Sequence, residues 1–217
     1  MIQWFLDGGI FMYPLAIWSV MSLAFFLERV YTYLRMRPEG ELSDVTNDMN
    51  SRVVSGASLE QLKDHCAQVG RMEGEVYGEG ILRFEFLTRE TRSMEEMREE
   101  LNSRVERAAS DYLERYLPVL DFVAKSAVLL GLLGTVSGMI HAFEGIAEKG
   151  LGEPTIVAAG ISEALITTVA GLSISVPTLA VFSYFANRAA TKAVEFEPYG
   201  HTFVDALLQR WQASRAA

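Results

Sequence analysis

The stretch from Ala164 to Asn187, ALITTVAGLSISVPTLAVFSYFAN, contains no charged residue. A run of this length crosses the hydrocarbon core of a bilayer, which takes about 20 apolar residues. It is not apolar all round. At about 100° per residue, Ala164, Thr168, Gly171, Ser175 and Thr178 fall on one narrow face, and Ile166, Val169, Val176 and Ala180 lie opposite. Lipid cannot satisfy hydroxyls, so the stripe is expected to pack against other helices or to border a wet path.

Two more apolar runs join it: Gly8 to Leu27 and Ser126 to Phe143. The chain of 217 residues has a net charge of −9 and is 50% hydrophobic. Its mean hydropathy is only +0.16, low for a chain made mostly of spanning helices, so a charged part outside the bilayer must balance the spans. Cys66 stands alone, which rules out an intrachain disulfide and a thiolate metal cluster. The acidic balance offers no basic patch for nucleic acid. The start, MIQWFLDGG, lacks a basic segment, and Glu28-Arg29 follows the first run where a small-residue cleavage site would stand; the expectation is a retained anchor.

Lys and Arg near the span ends set orientation. Arg29, Arg35 and Arg37 follow the first span, Arg115 and Lys125 precede the second, and Arg188 and Lys192 follow the third. The loop between the second and third has Lys149 against Glu144, Glu148, Glu153 and Glu163. The expected layout is a periplasmic segment 1–9, a first transmembrane helix 10–27, a cytoplasmic helical region 28–125, a second span 126–143, a periplasmic loop 144–163, a third span 164–187 and a cytoplasmic tail 188–217. The expected fold is all-α, a polytopic membrane protein with long helices reaching into the cytoplasm.

The region from Pro38 to about Gly80 reads as short helices separated at Gly40, Gly56, Gly70, Gly74, Gly78 and Gly80, with a helical pattern over Ser58 to Val69. His65 beside Cys66 is a weak metal pair, better read as part of a polar helix face. Ser93 with Glu96 forms a capping box. Apolar residues then recur at Met94, Met97, Leu101, Val105, Ala108, Tyr112, Leu113, Tyr116 and Leu120, one helical stripe. Pro118 is expected to kink this helix without ending it, giving one helix from Ser93 to Phe143 of about 75 Å. Its stripe calls for partners outside the bilayer: a bundle from several subunits, or the short helices of the same chain.

In the second span Gly131, Gly134 and Gly138 share a face that lets helix backbones approach, and Thr135 borders it. Ser137 and Ser173 are expected to bond carbonyls one turn back. His141, near the outer end, reads as an interfacial side chain in preference to a proton relay. No Asp, Glu or Lys lies deep in any span; Glu163 and Glu144 stand at the outer mouths, Glu28 and Lys125 at the inner. A proton path through this chain would need its titrating group from another polypeptide. No span carries a paired carboxylate, a Ser-His pair or a His-rich cluster, and the cytoplasmic region has no phosphate loop and no HExxH, so neither an enzyme nor a cofactor is expected.

The runs LLGLLGTVSGMIHAF (Leu129 to Phe143) and GISEALITTVAGLSISVPTLAVFSYF (Gly160 to Phe185) resemble the signature of the MotA/TolQ/ExbB proton-channel family. GGIFMYPLAIWSVMSLAFFLERVYTYLR, with Pro14 and Glu28-Arg29, is similar to the first span of its ExbB/TolQ branch. The resemblance implies a homo-oligomeric ring, typically a pentamer, around an ExbD/TolR-like single-span subunit that supplies the membrane aspartate, in a bacterial inner membrane. It implies proton-pathway roles for Thr135, Thr168 and Glu163, with Pro177 matching the proline of the third span. A TonB/TolA-like protein would receive the work. The rival reading is a non-conducting scaffold that uses the glycine faces only for packing.

Overall fold

The computed structural model describes residues 2–36, 39–89, 93–149 and 154–216. Arg37, Pro38 and residues 150–153, with Gly152 and Glu153, lie outside them. The described residues form eight helices and no strand: α1 Ile2–Asp7, α2 Met12–Leu34, α3 Glu39–Val54, α4 Leu59–Val69, α5 Arg71–Leu87, α6 Met94–Glu114, α7 Leu117–Lys149 and α8 Pro154–Ala216. Three stretches are long and apolar enough to cross a membrane: Met12–Leu34, Leu117–Glu148 and, within α8, Val157–Arg215. The chain is an all-helical, multi-pass membrane protein.

Two compact units emerge: Met1–Tyr31 with Tyr116–Phe185, and Thr32–Arg115 with Ala186–Ala217. In the first, Met12 and Leu15 of α2 are buried against Ala127 of α7 and Ile166 of α8, flanked by Phe5, Trp18 and Leu130. This corrects the helical-wheel expectation for Ile166. Val169, Val176 and Ala180 are exposed as expected for the side away from the stripe, but Ile166 is covered by α2.

In the second unit, α5 and α6 pack together with the end of α8. Tyr77 is fully buried, its ring 4.7 Å from Phe203 and 5.7 Å from Phe196, and its hydroxyl is 2.6 Å from that of Thr46. Met97, Leu101, Val105 and Leu113 of the α6 stripe are all at or near zero exposure. Helices of the same chain therefore cover these four residues of the stripe. The Ser93 capping box is formed, with Glu96 reaching back to the Ser93 amide, and Ser58 caps α4 the same way through Gln61.

Two expectations about breaks are corrected. The single helix from Ser93 to Phe143 is interrupted: α6 ends at Glu114, Arg115 turns to extended geometry, and Tyr116 has φ 69°. Pro118 stands at the second position of α7, where its missing N–H has no intrahelical acceptor to leave unpaired; it marks a helix start. The Tyr116 carbonyl accepts from the amides of Val119 and Leu120, both at 3.2 Å, and opens the new helix. In the other direction, Gly40, Gly74, Gly78 and Gly80 lie inside helices. Only Gly56 (φ 86°) and Gly70 (φ 59°) among the six break the chain, because there the backbone needs positive φ. At the C-terminal side, α8 runs on without interruption past Asn187 for 63 residues in all.

Candidate functional site

The site lies in the unit built from α1, α2, α7 and the first part of α8. It is assembled by close packing of α7 on α8. Placed on Gly131, a Cβ would lie 3.1 Å from the Thr167 carbonyl oxygen; on Gly138, 2.6 Å from that of Gly160; on Gly171, 2.6 Å from that of Ala127. At Gly134 it would meet the Thr167 Cβ at 2.5 Å. Side chains larger than hydrogen at these positions would force the backbones apart. Because the backbones approach so closely, polar groups of one helix reach carbonyls of the other.

These groups form a series along α8. Ser175 Oγ donates to the Ala124 carbonyl on α7 at 2.7 Å. Thr168 Oγ1 donates to Ala164 O one turn back at 3.0 Å and lies 3.4 Å from Gly131 O on α7. Thr178 Oγ1 donates to Ile174 O at 2.6 Å and is 2.6 Å from Ser22 Oγ on α2. The wheel face of Ala164, Thr168, Gly171, Ser175 and Thr178 is thus turned inward, all but Thr168 buried and that one half-buried.

Thr167 joins this face and was missed from sequence. It is fully buried against Gly134, and its hydroxyl bonds the carbonyls of Glu163 at 3.1 Å and Ala164 at 3.0 Å. The signal was available: a wheel anchored on Ala164 puts Thr167 at its edge, and Gly134 opposite leaves room for a branched side chain.

Thr135 is half-buried and donates to Leu132 O within its own helix at 2.6 Å. That back-bond was expected for Ser137 and Ser173 and not for Thr135. The chain brings Thr168 onto Gly131, one turn from Thr135. Pro177 lies inside α8 with its side chain exposed; at that depth Ser175 and Thr178 face the neighbouring helices.

At the end of the series nearer the N-terminus, Glu163 Oε2 is 3.1 Å from His141 Nδ1. The turn at Gly9 (φ 68°) closes over Glu163 so tightly that a Cβ there would collide with Oε1. At the other end Arg29, 1% exposed, holds Glu28 through Nε at 2.6 Å and Nη2 at 2.8 Å, and its guanidinium stands 5.4 Å from the centre of the Tyr116 ring.

The weak metal pair lies in the other compact unit. His65 Nε2 lies 2.8 Å from Asp48 Oδ2, and the buried Cys66 thiol is pushed up to about 11 by desolvation. Among the described residues Glu106, Glu197 and His201 bring ligand-type atoms within 4.8 Å of one another. The ion pair between His201 and Glu106 at 2.7 Å accounts for that grouping.

The profile of the MotA/TolQ/ExbB proton channel family matches residues 68–198. The chain is 30% identical over 204 residues to biopolymer transport protein ExbB-like 1 of Synechocystis, covering 90% of this chain and 74% of that protein. It is 26% identical to biopolymer transport protein ExbB of Pseudomonas putida, covering 83% of this chain and 54% of that one. Over 98 residues it is 34% identical to the Tol-Pal system protein TolQ of Pseudomonas aeruginosa, 45% of this chain and 42% of that protein. The matched region carries the α7–α8 glycine contacts, the threonines and Glu163, and the chain belongs to the MotA/TolQ/ExbB proton-channel family, on its ExbB/TolQ branch, as a membrane energy-transduction subunit.

Proposed function

We propose that this chain forms the wall of a proton-driven motor in a bacterial inner membrane, with its N-terminus and the α7–α8 loop on the periplasmic side. Copies of the chain, five in the family pattern, surround an ExbD/TolR-like single-span subunit whose aspartate titrates at mid-membrane. Thr135 and Thr168 border the path, and Glu163 stands at its outer mouth. Proton passage turns or rocks the inner helices, and a TonB/TolA-like protein carries the work onward. One charge moved through 100 mV yields about 2.3 kcal/mol, so several protons supply useful work.

The observation that carries this reading is the line of hydroxyls from Thr178 to Thr167, ending on the Glu163–His141 pair, in spans with no ionisable side chain at mid-depth. A polar line without its own titrating group suits a wall around a carboxylate brought by another subunit.

The rival scaffold reading draws on one observation, the back-bond of Thr135 within its own helix. Proton uptake into liposomes separates the two. The full chain with its single-span partner is expected to conduct, and the chain alone is not. Uptake equal to that of empty liposomes, with the partner shown to be bound, would leave the scaffold.

A further inference from the structure

His141 and Glu163 come from different helices, α7 and α8, and meet at 3.1 Å. The two differ sharply in exposure, 55% for the imidazole and 16% for the carboxylate. Gly9 closes over one carboxylate oxygen, and His141 holds the other. Both residues border a cavity of about 580 Å³ that Asp7, Thr155 and Ser162 also line. Behind Glu163, its own backbone carbonyl accepts from Thr167, the first hydroxyl of the series. The charged groups that line the cavity with His141 among the described residues are Glu163 from α8 and Asp7 from α1, and Glu144 follows three positions along α7. All are acidic, and an acid-lined cleft with low-dielectric walls concentrates cations at its surface.

We propose that His141 loads Glu163 with protons: the imidazole takes them from water in this cavity and hands them to a carboxylate that solvent reaches poorly. The proposal rests on the channel reading above and adds a residue to it. In the resting pair, Nδ1–H donates to Glu163 Oε2. A hydronium in the cavity protonates Nε2, the nitrogen turned away from Glu163. The Nδ1 proton then passes to Oε2, leaving a neutral carboxyl and a neutral imidazole protonated on Nε2. Exchange with cavity water returns the proton to Nδ1 once Glu163 has passed its own inward. A general acid–base group must lie within hydrogen-bond reach of the atom it serves, and this pair does.

The test uses the full chain with its single-span partner in liposomes, with proton uptake read by an entrapped pH dye over external pH 5.5 to 8. His141→Asn keeps a hydrogen-bonding side chain but cannot relay; uptake is expected to fall at least about tenfold. His141→Gly is expected to fall likewise and to recover when free imidazole is added, but not with an equal amount of sodium chloride. If His141→Asn conducts like the wild type, the relay is overturned and the channel reading stands. If the wild type itself is silent, the channel reading fails and takes the relay with it. Histidine ¹⁵N spectra test the pair without conduction: the Nδ1–H tautomer is expected in the wild type, and a free-histidine mixture in Glu163→Ala. An unchanged spectrum overturns the proposal.

Discussion

A Cβ on Gly134 would fall 2.5 Å from the Cβ of Thr167, so α7 and α8 touch where one residue has no side chain and the other is branched. This contact lies within a single chain. Gly134→Leu is therefore expected to destabilise the protomer itself, before any effect on assembly. Overpacking of this kind costs about 1–3 kcal/mol or more. The check is thermal unfolding in mild detergent, with Gly134→Ala expected between wild type and Leu. An unchanged midpoint for Leu would mean that the helices part freely.

Thr168→Val keeps the shape and removes a hydroxyl that bonds Ala164 O and lies near Gly131 O. It is expected to bind the single-span partner normally and to abolish proton-dependent work, with Thr135→Val acting the same way but more weakly. Glu163→Gln is expected to reduce activity. Pull-down of the partner and an assay of force-driven function, run together, decide this. Wild-type work by Thr168→Val would reduce the hydroxyl line to packing.

Topology needs better reporters than the native thiol. Cys66 is buried and its thiol is held protonated, so it resists labelling on either side of a membrane. Exposed positions serve instead. Thr155→Cys is expected to label from outside intact cells, and Asn47→Cys only after permeabilisation. The reverse pattern would invert the orientation.

Asp48 offers a pH prediction outside the membrane. Its hydrogen bond from Arg52 holds the carboxyl below the usual range, with charge from Arg52 and His65 adding to that. A depressed folded-state value means that the stabilisation is present above the unfolded carboxylate range and is lost as pH falls through the folded value. Asp48→Asn should therefore narrow the stability difference between pH 7 and pH 3. The effect is about a few tenths of a kcal/mol, because the pair is half-exposed and screened. Denaturant unfolding followed at both pH values measures it.

How much of this was legible in the sequence follows from how local each feature is. The apolar runs, the inward face of α8 and the Ser93 capping box depend on residues a few positions apart, and they were read correctly. The break at Arg115 and Tyr116 was not, because a proline looks the same in a kinked helix and in the first turn of a new one. Four glycines taken as breaks lie inside helices, where tertiary packing overrides propensity. Ile166 and Thr167 were misjudged for one reason. Each is defined by what another helix brings to it, whether Met12 or Gly134.

The hydroxyls of this series share one further property. A threonine or serine side chain has a single proton to give. Thr135, Thr167, Thr168, Ser175 and Thr178 all give theirs to backbone carbonyls. Each of these hydroxyls is therefore already committed within one protomer, and three of the five, Thr167, Ser175 and Thr178, are buried there. Only Thr135 and Thr168, half-buried, keep lone pairs that a donor from outside the helix pair could approach, and a lone pair accepts but cannot donate.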